Sequence, residues 1–120
     1  MKKIFLVLLF GFLFSGNVHA DLMMGEYIKN RSSNDKEVHK IMDISIKLIE
    51  EGIEMANVEL DYTKRKKLYC QPETLAFNSE NIASFLEHQI KKFKDKGRSI
   101  DKFPVAMVLM KHLKETFPCK

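Results

Sequence analysis

Two cysteines, Cys70 and Cys119, stand 49 positions apart in a chain of 120 residues, and they constrain its fold more than any other feature. They follow a leader with the marks of export. Lys2-Lys3 is followed by an apolar run from Ile4 to Phe14 and then by Val18-His19-Ala20, with small residues at the third and first positions before a cut. That run is about 11 residues long, whereas a membrane-spanning helix takes roughly 20. The expectation is a signal peptide over residues 1–20, a mature chain from Asp21 forming a single helical domain over 21–120, and delivery to the periplasm. No cysteine stands just after the cut, so neither a lipid anchor nor a stable membrane anchor after cleavage is expected.

In an oxidising compartment two cysteines are expected to pair. A loop of this length gives roughly 4 kcal/mol in the chain-entropy model, a large share of a typical total of about 5–15 kcal/mol. A small domain has a marginal core, so the pair Cys70–Cys119 reads as a structural staple. No second cysteine is close enough to either thiol for a CxxC redox centre. Two cysteines and scattered histidines also make no zinc cluster. No metal or cofactor is expected.

The leader holds two lysines and no acid, which leaves a mature charge close to balance. That is too mild to point to nucleic acid. The one dense basic run, Lys64-Arg65-Lys66-Lys67, could meet an acidic partner or an anionic surface. It reads more simply as a solvated loop or helix end.

The periodicity is helical throughout. Residues 21–35 read as a transitional, turn-rich stretch. After them Asn34 or Ser33 can cap a helix, and Asp35 and Glu37 suit its positive end. Val38, Ile41, Met42, Ser45, Leu48, Ile49, Gly52, Ile53 and Ala56 then recur at three and four, widened by Ile44 and Ile46. Lys40, Lys47, Glu50, Glu51 and Glu54 fall on the wet side. Gly52 lies on the apolar stripe, where it either admits another helix or marks a bend. A second helical piece is expected from Tyr62 to Tyr69, ended by Pro72.

Asn78 and Ser79 cap the next helix, whose apolar face is Ile82, Phe85, Leu86, Gln89, Ile90 and Phe93, with a stop at Gly97. After a short loop, Asp101 as cap and Pro104 in the first turn open the last helix. It carries Val105, Val108, Leu109, His112 and Leu113 on one side and is ended by Pro118. No stretch alternates like a strand. The expected fold is all-α: a small bundle of three to five helices with one disulfide.

No catalytic set emerges, and the chain does not read as an enzyme. His39, His88 and His112 are far apart in sequence, and there is no HExxH, no GxSxG elbow and no phosphate loop. Glu50, Glu51 and Glu54 read as a solvated helix face. Met23, Met24, Met107 and Met110 invite a copper reading, but at helical spacing Met107 and Met110 read better as core filler.

The C-terminal half resembles a known family. Leu68-Tyr69-Cys70-Gln71-Pro72 precedes one amphipathic helix, a polar loop and a second amphipathic helix. The chain then closes on Leu113-Lys114-Glu115-Thr116-Phe117-Pro118-Cys119. This aromatic-Cys-x-Pro opening and aromatic-Pro-Cys close resemble the Rap/Tai family of type VI secretion immunity proteins, as does the helix segment around Gly52. Many members carry a second cysteine pair, whereas here Asp43 and Ser45 stand in that region and no cysteine precedes Cys70. The resemblance implies a periplasmic protein that binds and blocks a cognate peptidoglycan-cleaving amidase effector. It allows a homodimer, although no stripe read from the sequence demands one. A small periplasmic acid-stress chaperone, also helical with one disulfide, is the alternative. The expected contact surface is the loop from Asp95 to Lys102, with Asp95, Lys96, Arg98 and Asp101 as its partner-binding residues, because loops on a stiff scaffold favour binding.

Overall fold

The computed structural model describes residues 21–120; the expected signal peptide lies outside them. Four helices follow in order: α1, Met24–Arg31; α2, Lys36–Tyr62; α3, Ser79–Asp95; and α4, Val105–Thr116. Among the described residues there is no strand, only an isolated bridge between Met23 and Pro104. The fold is the expected all-α bundle with one disulfide. None of these helices is long and apolar enough to cross a membrane.

α2 is the spine, and the other three helices all pack against it. It starts one residue later than expected, because Asp35 supplies the cap: its carboxylate accepts from the Glu37 N–H at 2.9 Å. It runs 27 residues without a break, straight through Gly52, and ends on Tyr62, the residue expected to begin a second helix. The expected piece from Tyr62 to Tyr69 is absent. Thr63 caps α2, Lys64 turns the chain with a positive φ of 59°, and residues 65–78 run irregularly to α3.

α1 is a correction too. Its eight residues carry little apolar periodicity, and Gly25 in its first turn lowers intrinsic propensity. Tertiary packing forms it, by burying Met24 and Tyr27 completely.

α3 and α4 follow their expected faces. Asn78 caps α3 by accepting from the Asn81 N–H at 2.8 Å, and Asn81 returns the bond to the Asn78 N–H. Ile82, Ala83, Leu86 and Gln89 are buried from α3, and Val105, Val108, Leu109, His112 and Leu113 from α4. Ile49 and Ile90 pack against this core while partly exposed. Met107, expected as filler, is 55% exposed.

Around α2 the expected stripe splits. Met42, Ile46 and Ile53 face the core, joined by Glu50 and Asn57. Ile41, Ile44 and Leu48 face solvent. Glu50, expected on the wet side, is only 1% exposed, whereas Glu51 and Glu54 are exposed as expected. Lys47 follows Glu50 inward and donates to its carboxylate at 2.7 Å, which offsets the cost of burying that group.

Candidate partner-binding site

The loop between α3 and α4 is built as a rigid platform. α3 closes with a paired stop in which the Gly97 N–H donates to the Lys94 carbonyl at 2.9 Å and the Arg98 N–H to the Phe93 carbonyl at 3.0 Å. This geometry needs a left-handed residue, and Gly97 supplies it with φ at 66°. The loop then dips inward at Ile100, which is buried, and turns through a Phe103 N–H to Ile100 carbonyl bond at 3.1 Å.

α1 docks on this loop. The Met24 and Gly25 N–H groups donate to the carbonyls of Phe103 and Asp101 at 2.9 and 3.0 Å, so the loop satisfies donors that a helix start leaves unpaired. The approach is close: a Cβ at Gly25 would sit 3.2 Å from the Asp101 Cβ. Asp101 therefore does not cap α4 as expected. Pro104 takes that position, and the Val105 N–H donates to the Leu22 carbonyl at 2.9 Å.

All four expected binding residues, Asp95, Lys96, Arg98 and Asp101, are exposed, and none forms an ion pair with another described residue. The fold gathers two of them. Lys96 and Arg98 join Lys92, Lys111 and Phe93 around a recess of about 80 Å³. The Arg98 guanidinium lies 5.6 Å from the Phe93 ring centre, and that ring packs edge-on to Phe103 at 5.5 Å. Lys92 and Lys111 are already committed to Glu115, and their hydrogen bonds hold its carboxyl far below the usual range, at about 2. Lys96 and Arg98 keep free charge, so the recess suits a carboxylate on a partner. Asp95 and Asp101 do not line it.

The cysteine junction lies elsewhere. Cys70 and Cys119 are bonded with their Cα atoms 4.9 Å apart, and the Cys70 N–H donates to the Phe117 carbonyl at 2.8 Å. Asn57, from the core face of α2, clamps the same strand of chain. Its amide donates to the Tyr69 carbonyl at 2.9 Å and accepts from the Leu68 N–H at 2.7 Å. Phe77 then packs against Phe85 and Phe117, at 5.1 and 5.7 Å between ring centres.

Between this segment and α2 lies a groove of about 320 Å³ that the sequence did not reveal. Its charged wall is Glu50, Glu54, Asp61 and Glu73 against Lys47 and Lys67. Tyr69 lines it, and its hydroxyl is buried without a hydrogen-bond partner among the described residues. Burial first, and then the fields of Glu50 and Glu54, push that phenol up to about 12. Asn57 lies on the inward row of α2, where a buried amide needs partners, but that row is identified only by the packing.

Of the three histidines far apart in sequence, the fold brings His88 and His112 together and leaves His39 elsewhere. His39 bonds the Ser33 carbonyl at 2.6 Å. His112 sits between Phe85 and Gln89, with its ring 5.5 Å from that of His88. Burial, reinforced by His88, lowers its pKa. Among the described residues no group of three His, Cys, Asp or Glu is placed to hold a metal ion. No match to the chain is found among family models, characterised proteins or solved structures.

Proposed function

We propose that this chain is a periplasmic immunity protein that binds a type VI secreted peptidoglycan amidase and inhibits it by occlusion. The observation that carries the reading is how the motif residues assemble. Tyr69-Cys70-Gln71-Pro72 and Phe117-Pro118-Cys119, which carry the resemblance, meet in one junction closed by the disulfide and by the Cys70 to Phe117 backbone bond. A stapled scaffold of this kind suits work by shape rather than by chemistry.

The platform between α3 and α4 is the contact surface in this reading. Its backbone is tied to α1 and α3, so little order is lost when a partner lands on it. Lys96 and Arg98 would steer approach to an acidic rim of the amidase more than set the affinity.

Co-expression in the periplasm with an amidase encoded beside this gene tests the reading. Cells should survive with the protein and lyse without it. Lysis despite abundant folded protein rejects immunity. Protection that survives Lys96→Glu combined with Arg98→Glu rejects only the platform as contact surface. Loss of helical structure near pH 3, together with capture of many unrelated clients, would instead favour the acid-stress chaperone.

A further inference from the structure

The groove between α2 and residues 63–78 carries charge that the fold leaves unused. Glu50, Glu54 and Asp61 line the α2 wall and Glu73 the other, against Lys47 and Lys67. Four carboxylates against two lysines leave two negative charges in a space of about 320 Å³. The lysines are already committed. Lys47 donates to Glu50 at 2.7 Å and lies 3.7 Å from Glu51, and Lys67 lies 3.7 Å from Asp61. Glu54 and Glu73, one on each wall, form no ion pair with a described residue.

Acids alone would make no more than a solvated surface. Tyr69 adds something the monomer does not use. It is 1% exposed and lines the same groove, and its hydroxyl has no hydrogen-bond partner among the described residues. Beside burial, the fields of Glu50 and Glu54 raise its pKa, which sets the hydroxyl by the acidic wall. Asn57, also in the groove, turns its amide to the Tyr69 carbonyl and the Leu68 N–H instead. A buried hydroxyl left unpaired costs stability that a plain ring would not. Folding gives no return for it; a ligand that donates to it does.

The chemistry of the occupant follows from what is unpaired. Glu54, Glu73 and the Tyr69 hydroxyl can all accept, and a primary ammonium has three donors and no acceptor. A metal ion does not fit, because among the described residues no three His, Cys, Asp or Glu are placed to hold one. The carboxylates are spread along the groove instead. Glu50 and Glu54 stand about 6 Å apart along α2, and Asp61 about 10 Å further on. Apolar surface lies between the charges: Val58 and Leu75 are 53% and 38% exposed, and Phe77 lines the groove with them. Spaced acids with apolar wall between them suit ammonium groups joined by an alkyl chain. Lys47 shows the mode of contact with the chain's own residue, an alkylammonium laid against Glu50 in this groove.

We infer that this groove binds a slender organic dication, two ammonium groups on an alkyl chain, with one ammonium held between Glu54 and Glu73 over the Tyr69 hydroxyl. A linear diamine and a lysine-bearing peptide both present that chemistry. The groove shares no residue with the recess at the platform, and the inference does not rest on the amidase reading.

Calorimetric titration of the purified protein with putrescine, spermidine and trilysine tests it, with magnesium as the comparison. Saturable one-to-one binding is expected at low salt, weakening as salt screens the carboxylates. Glu54→Gln combined with Glu73→Gln should weaken it by about tenfold or more. Glu59→Gln, exposed and outside the groove, should leave it unchanged. Tyr69→Phe is the sharper variant. It should weaken binding severalfold while the thermal midpoint stays at or above that of the wild type, because the hydroxyl it removes is unpaired in the free protein. Tighter binding of putrescine or spermidine names a free polyamine as occupant, and tighter binding of trilysine names lysine side chains on another chain. No saturable binding of any probe overturns the proposal. So does binding that survives Glu54→Gln with Glu73→Gln, binding that Tyr69→Phe leaves at wild-type strength, or binding that magnesium matches at equal concentration.

Discussion

The two long connections in this protein are held by different means. Residues 63–78 are fixed chiefly by side chains, through the Cys70–Cys119 bond and the Asn57 amide reaching out of α2, with one backbone bond from Cys70 to Phe117 beside them. Residues 96–104 are fixed by backbone carbonyls offered to α1, by the stop at Gly97 and by one buried anchor, Ile100. Both link consecutive helices, but the first is tied across the fold by a covalent bond and a side chain, and the second by main-chain bonds to α1, far earlier in the chain. A connection held by its own backbone leaves its side chains free, which is why the exposed charges of the platform carry no structural duty.

The largest test of this contrast is the staple. Replacing both cysteines by serine should remove about 4 kcal/mol by the loop-entropy model. Urea denaturation of the double variant checks it, and a loss below about 1 kcal/mol would show that Asn57 and Phe77 hold the segment without the bond. Next in size is the anchor of the other connection. Ile100→Ala should cost about 2–4 kcal/mol, close to the effect of Leu109→Ala in the core, because both side chains are buried. An equilibrium unfolding series should place the two together; a neutral Ile100→Ala would mean the loop is seated by hydrogen bonds alone.

Asn57→Ala should follow at about 2 kcal/mol, since it strands the Tyr69 carbonyl and the Leu68 N–H. Its mark would be faster amide exchange confined to residues 66–72. Gly97→Ala should cost about 1 kcal/mol, from strain at positive φ, and a thermal melt should resolve a fall of several degrees.

The smallest effect is that of pH. His112 has a folded pKa below its ordinary 6.5, with burial as the main cause. The unfolded chain therefore binds that proton more readily. Stability is full above pH 6.5 and declines as the pH falls through the folded value. Glu115, held at about 2 against an ordinary 4.5, adds a further small loss between those values, reduced by its solvent exposure. Denaturant midpoints at pH 7.5 and 5.5 should differ in wild type and converge in His112→Gln.

What could be read without coordinates follows from how local each signal is. The Asn78 cap, the Gly97 stop and the inward faces of α3 and α4 depend on residues within a few positions of one another, and each stands where the sequence places it. The charged residues of the platform were legible as residues. The recess that unites Lys96 and Arg98 with Lys92, Lys111 and Phe93 was not, because Lys111 arrives from the next helix. α1 was illegible because eight weakly patterned residues become helical only through burial of Met24 and Tyr27.

The sequence by itself determined the helical class, the covalent tie and the two ends of α3. Only the tertiary structure decided the fate of α2. Its apolar residues surround the axis in two rows, and periodicity measures angles around a helix without saying which angle meets the rest of the chain. The choice fell to packing between residues far apart in sequence. Turning Met42, Ile46 and Ile53 inward brought Asn57 to the backbone of Tyr69 and carried Glu50 under cover with Lys47. The same rotation left Ile41, Leu48 and Met55 in water.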